Sequence, residues 1–244
     1  MTGFRLSRAW SIRSAEDGFV LSGGADALFR VEGSPLLTRL AAGEAVERSS
    51  VSDDEAALFE KLVSAEIAVP EISVAAEAAI AFVGDELPWG LPLADGLRVV
   101  ERQEAADLVV LVRRTSGIWA AAELASRIER LHLYVDLSFH HTVSVGPLVV
   151  PHETPCVSCL AGRITERWGD GDVAPDPAVA RSFSRLSAAL VATEVERAAS
   201  GDGSLAGWTA SWNLADRTAR RDRLLTTAAC PYCRGWVASG KIGL

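Results

Sequence analysis

The chain contains four cysteines, and they fall as two Cys-x-x-Cys pairs, Cys156/Cys159 and Cys230/Cys233. Two thiolates two residues apart sit on one tight turn, where both can face a single point. Two such turns supply the four soft ligands of a tetrahedral ion. The alternative is a pair of redox dithiols. The long stretch between Cys159 and Cys230 makes a shared ion a clamp between distant segments rather than the centre of a small finger. A complete four-thiolate shell leaves no position open for a substrate. The expected cofactor is therefore one structural zinc ion on Cys156, Cys159, Cys230 and Cys233.

The formal net charge of -8 argues against a nucleic-acid surface, which needs excess Lys and Arg. No apolar run approaches the roughly eighteen residues of a membrane span, and the opening residues Met1–Trp10 lack the apolar stretch of a secretory signal. A cytoplasmic location is expected, and in that reducing setting paired Cys-x-x-Cys motifs favour metal over disulfides.

Two sections with different patterning divide the chain, with expected boundaries at 1–72 and 76–244. In the first, short strands are expected near Ala9–Arg13 and Gly18–Leu21 around a turn at Glu16-Asp17-Gly18, and a third at Ala27–Glu32. Ser34-Pro35 reads as a cap with proline at the first helical position, opening a helix that Gly43 ends. Ser52 with Glu55 reads as a capping box for a second helix carrying Leu58, Phe59, Leu62 and Val63 on one face. Strands followed by short helices imply a winged-helix-like α+β module. In the second section, Ala78–Val83 and Asp107–Val112 are the near-continuous apolar runs of parallel strands buried on both faces. A helix over Ile118–Leu131, strands at Leu133–Leu137 and Thr142–Val150, and a long amphipathic stretch at Val179–Arg197 follow. Beyond a flexible Ser200–Ser204, a hairpin of Gly207–Leu214 and Arg221–Thr227 delivers the second cysteine pair. The expected class is α/β.

Two segments resemble the ThiF-like family, relatives of the ubiquitin-activating enzymes. One is Gly146-Pro-Leu-Val-Val-Pro-His-Glu-Thr-Pro-Cys-Val-Ser-Cys-Leu160, similar to that family's strand, turn and first zinc knuckle. The other runs from Trp212 to Cys233 and looks like its closing hairpin with a final Cys-Pro-x-Cys. Adenylating members place a glycine-rich loop after the first strand, where backbone N–H groups approach phosphates. Here the turn reads Gly84-Asp-Glu-Leu-Pro-Trp-Gly90, and a later turn expected to be Asp-rich reads Val110-Leu-Val-Arg-Arg-Thr-Ser116. The resemblance thus implies a degenerate ThiF-like domain that retains the fold without ATP or catalytic residues.

Degenerate members with a small module in front resemble partner proteins of YcaO-type cyclodehydratases, which form azolines in ribosomally made precursor peptides, including thiopeptide precursors. The front module resembles the RiPP recognition element, which binds the precursor's leader as an added strand. The resemblance implies a non-catalytic leader-binding scaffold; the alternative is a diverged ATP-dependent adenylating enzyme, and a third reading is a structural interaction protein. Expected partners are the leader peptide, the cyclodehydratase and a second copy of the chain. The matching pieces are Ala27–Glu32 and Asp53–Ile67, so the expected peptide-binding residues are Leu28, Arg30, Glu32, Leu58 and Lys61. Arg30 and Lys61 would attract an acidic leader, and Leu28 and Leu58 would form the pocket. Alternation sends Phe29 and Val31 to the core. Among the remaining candidates, the chain has histidines at 132, 140, 141 and 152; His140 and His141 point to opposite faces of a strand and are read as turn or surface residues. The run Arg217, Arg220, Arg221 and Arg223, diluted by Asp216 and Asp222, reads as a solvated hairpin. Trp10 and Trp89 are candidates for partner contact.

Overall fold

A computed structural model describes residues 3–24, 27–72, 74, 77–139, 141–169, 183–227 and 230–233. It divides into two compact units, one of Met1–Ser73 with Gly201–Ser204, the other of Val74–Ser200 with Leu205–Leu244.

In the first unit, β1 (Gly3–Leu6) pairs antiparallel with β5 (Ala68–Glu71). Neither strand is apparent in the sequence: each is four residues long, and the pair has no local turn to announce it. β2 (Trp10–Ala15), β3 (Gly18–Gly23) and β4 (Ala27–Val31) form an antiparallel meander with β4 at one edge. α1 (Pro35–Ala41) and α2 (Asp53–Ser64) follow. Ser34 caps α1, its Oγ accepting the Leu37 N–H at 3.2 Å. The capping box expected at α2 is not formed in that way. Glu55 accepts the Ser52 hydroxyl through one oxygen and, through the other, the Leu36 N–H at 2.8 Å and the Ser34 hydroxyl at 2.7 Å. A carboxylate from α2 thus helps to cap α1, and the α1 amide, chiefly, lowers its pKa.

Leu21, Leu36, Leu37, Leu40, Phe59 and Leu62 make the core of this unit. Phe29 departs from expectation. It lies opposite Leu21, on the core-facing side, yet it is 46% exposed, because the core stops at β3 and Val31. Instead it stacks on Trp10, ring centroids 5.7 Å apart. The segment Gly201–Ser204 is not a loose linker either. Asp202 is buried and bridges Glu71, and the Gly203 N–H reaches the Pro70 carbonyl. A Cβ on Gly203 would meet that carbonyl oxygen at 2.2 Å, so only glycine fits against β5.

The second unit is built on a mixed seven-stranded sheet. Its parallel part is β7 (Arg98–Val99), β6 (Ala79–Gly84), β8 (Leu108–Arg113) and β9 (His132–Phe139). β10 (Thr142–Val149), β11 (Trp208–Asn213) and β12 (Thr218–Arg223) continue it antiparallel. Every residue of β8 is buried, as its apolar run requires. α3 (Ile118–Ser126) and α4 (Val157–Trp168) pack with Val109 and Leu111 in one core. The alternate residues Leu108, Val110 and Val112 are buried too, and α5 (Ser184–Ala199) packs on β8, β9 and β10.

Three boundaries differ from the sequence reading. α3 ends at Ser126 rather than Leu131, its last turn closing through Arg127 and Ile128 onto Leu124 and Ala125. The second hairpin strand is Thr218–Arg223 rather than Arg221–Thr227, so the arginine run itself forms the strand. α4 is absent from the sequence reading, although Cys156 starts it. Of the long stretch Val179–Arg197, residues 179–182 lie outside the described residues. Among the described residues, no helix is long and apolar enough to cross a membrane.

Candidate metal centre and peptide-binding edge

The first knuckle is the opening turn of α4. Cys156 is its N-cap residue, and the Cys159 N–H bonds back to the Cys156 carbonyl at 3.0 Å. The second knuckle follows β12, where the Cys233 N–H points to the Cys230 sulfur at 3.4 Å. The four Sγ atoms lie within 4.8 Å of one another and all four residues are buried. Cys156 is 3.6 Å from Cys230, Cys159 is 3.7 Å from Cys233, and Cys156 is 4.0 Å from Cys159. A tetrahedral shell of zinc–sulfur bonds of about 2.3 Å has sulfur–sulfur edges of about 3.8 Å, so the group can hold such an ion. These distances exclude disulfides, whose sulfurs are about 2 Å apart, and all four thiols are free. Bonded to the Cys156 thiol, Cys159 is held down at about 7, while the same contact pushes Cys156 up. Four ionised thiolates this close would repel one another unless a cation lay between them, so the cluster suits a metal ion.

The residues expected to grip a peptide occupy two elements. Leu28 and Arg30 stand exposed on β4, with Glu32 exposed just beyond it. Leu28 is 62% exposed, a large apolar side chain in water on an edge strand. On α2, Lys61 is exposed and Leu58 is half-buried against the core. α2 packs chiefly on β5 and β4 on β3. A shallow cavity of about 340 Å³ at the end of β4 is lined by Arg30 and Glu32 together with Glu16 and Asp17 of the β2–β3 turn. Arg30 therefore stands among three carboxylates, which weakens the expected attraction for an acidic leader. Leu28 stands exposed as alternation expects; that Phe29 is exposed as well, stacked on Trp10, is the feature that alternation did not reveal.

The turn after β6 uses its charge internally. The Asp85 carboxylate accepts the backbone N–H groups of Arg114, Thr115 and Ser116 at 2.7, 2.7 and 2.9 Å, and the Ser116 hydroxyl at 3.0 Å. Gly84 (φ +90°) permits this turn, since a Cβ there would meet the Val112 carbonyl oxygen at 2.3 Å. Burial alone would raise the Asp85 pKa; the donors from Ser116, Arg114 and Thr115 outweigh it and hold the group at about 2. The amide nest before α3 is thus filled by the chain's own anion. Because folding lowers this pKa from 3.8, the stabilisation is full above that value and fades as pH falls towards 2. After allowance for solvent screening, Asp85→Asn is expected to cost about 1 kcal/mol at pH 7. The gap to wild type in urea melts should close between pH 4 and 2.

Below this turn lies a buried ion pair. Arg113 meets Asp136 at 2.8 Å, with side chains 6% and 2% exposed. Tyr134 and Ser138 also donate to Asp136. Of the histidines, His132 is buried with Nδ1 on the Arg130 carbonyl, and its pKa is pushed down to about 4 by burial. His141 and His152 are exposed. His140 lies outside the described residues. Arg221 lies over the Trp208 ring at 4.5 Å, and Arg220 pairs with Asp222. Trp89 is half-buried.

No protein-family model matches the chain, and no curated protein matches it. Among solved structures, the chain is similar to the heterocyclase TruD (16% identity, TM-score 0.45), covering 96% of this chain and 43% of that one. It therefore spans less than half the length of the heterocyclases it matches. It is also similar to MccB of E. coli (11% identity, TM-score 0.46), covering 95% and 97% of the two chains. A chain of the E. coli microcin synthetase McbBCD complex matches with TM-score 0.51 and 13% identity, over 94% of this chain and 99% of that one. That last likeness establishes a shared α/β fold.

Proposed function

We propose that the chain is a non-catalytic scaffold that binds the leader of a ribosomally made precursor peptide along β4 and presents it to a YcaO-type azoline-forming cyclodehydratase. The observation that carries this reading is the open edge of β4, with Leu28 and Phe29 exposed on opposite faces of one short strand. An unpaired edge offers N–H and C=O groups to an incoming strand, and exposed apolar side chains on both faces give that strand anchors. The meander followed by two helices fits a winged-helix-like recognition element, and the mixed sheet with its four-cysteine centre fits a degenerate ThiF-like domain with a structural zinc ion. The fold is shared with a chain of a multi-protein microcin synthetase, in keeping with a partner role.

The adenylating alternative needs a turn after β6 open to phosphates, and there Asp85 places a carboxylate bonded to the amides before α3. Calorimetry with Mg-ATP is expected to give no saturable binding; micromolar binding would favour the enzyme reading instead. Fluorescence polarisation with the cognate leader should show a loss of about tenfold or more for Leu28→Asp, because a charge replaces an apolar anchor. Charge reversal at Arg30 should do less, since three carboxylates line the same cavity. Wild-type affinity in Leu28→Asp would remove β4 as the docking edge.

A further inference from the structure

Among the second unit's buried polar atoms that lack a hydrogen-bond partner within the described residues, two belong to side chains on one cavity. They are Nε2 of His132, the first residue of β9, and Oγ of Ser158, in the first turn of α4. Each residue is 3% exposed. Both line a cavity of about 260 Å³ bounded by the end of α3, the start of α4 and Pro231-Tyr232 between the second pair of cysteines. Cys156 touches it too, but four sulfurs suffice for a tetrahedral shell, so neither atom is needed by an ion there. A buried polar atom without a partner costs free energy that an apolar side chain of the same shape would not. Two of them around one cavity point to a molecule that completes them.

The chemistry of that molecule follows from the two atoms. The Arg130 carbonyl can only accept, so His132 Nδ1, 2.8 Å away, carries the ring proton. Burial keeps the ring neutral, and Nε2 therefore presents a lone pair. The Ser158 hydroxyl has a proton to donate. Buried Ala122, Ala125, Ile128 and Val149 give the cavity apolar walls, and the exposed Glu129 adds a carboxylate. An anion would meet the Nε2 lone pair and Glu129. A cation would leave water to lie against two uncharged atoms. A neutral group with one donor and one acceptor suits both.

We infer that this cavity binds a small neutral molecule with a carboxamide on an apolar body, its N–H donated to His132 Nε2 and its carbonyl accepting the Ser158 hydroxyl. A few convergent polar groups in an apolar wall are the usual makeup of a small-molecule site. Such a site does not depend on peptide binding at β4.

The test is calorimetry on the full chain with benzamide, benzoate and benzylamine, which share one ring and differ in headgroup charge. Benzamide should bind saturably and about tenfold or more tightly than either charged probe. In nitrogen NMR of histidine-labelled protein it should move the His132 Nε2 signal, because that lone pair gains a donor. Ser158→Ala and His132→Leu each replace a polar atom by an apolar group, so each should melt at or above the wild-type temperature and bind benzamide about tenfold more weakly. Should a variant melt below wild type, the wild-type calorimetry and the Nε2 signal decide alone. No saturable benzamide binding, a charged probe binding as tightly, an unmoved Nε2 signal, or wild-type affinity in both variants would overturn the assignment.

Discussion

Replacing Cys230 by Ser is expected to strip the metal from the protein and to unfold most of the second unit under conditions in which wild type is stable. Cys156 and Cys159 lie in the first turn of α4, while Cys230 and Cys233 lie beyond β12. The four sulfurs sit in the same core as α3 and α4. Structural zinc binding to four thiolates supplies an apparent free energy of about 10–16 kcal/mol at neutral pH. Whole domains are stable by only about 5–15 kcal/mol, so losing even half of the metal term removes most of the margin. Elemental analysis should find one zinc per wild-type chain and none in Cys230→Ser, with a lower urea midpoint and an unfolding free energy reduced by several kcal/mol. A Cys230→Ser protein that kept its metal and its midpoint would show that the sulfurs are not the shell.

The second large effect is expected at Asp136. Asp136→Ala removes the acceptor of Arg113, Tyr134 and Ser138 together and leaves a guanidinium buried without its counter-charge. Burial works against the Arg113 charge, and the Asp136 carboxylate more than restores it, holding the pKa above the ordinary arginine value. Breaking a buried pair from one side costs about 3–5 kcal/mol. The double variant Arg113→Met/Asp136→Leu should be markedly more stable than Asp136→Ala, because no orphaned charge remains. Denaturant melts of the three proteins measure this directly. Equal stability of single and double variants would mean that packing, not charge, dominates the site.

The parts legible in the sequence are those that local chemistry specifies. Cysteine spacing identified the four residues that cluster, and apolar runs located β6 and β8. Ser34-Pro35 marked the start of α1, and Glu16-Asp17-Gly18 the first hairpin. What escaped depends on partners far along the chain. β1 finds β5 across the whole first unit, and Glu55 serves a helix other than its own. Phe29 shows the limit of alternation: period two assigns its face correctly, but cannot say that the core ends one strand earlier. Composition alone marks the Asp85 turn as acidic; that its carboxylate fills the amide nest required coordinates.

The central claim, a leader peptide docked as a strand on β4, is tested most directly by amide hydrogen exchange of the full chain with and without its cognate leader. Added backbone pairing slows exchange of the β4 amides that face away from β3. The expected result is protection over Ala27–Val31 that saturates with peptide, with the strands of the seven-stranded sheet unchanged. Peptide binding that leaves the β4 amides exchanging as in the free protein would contradict the account.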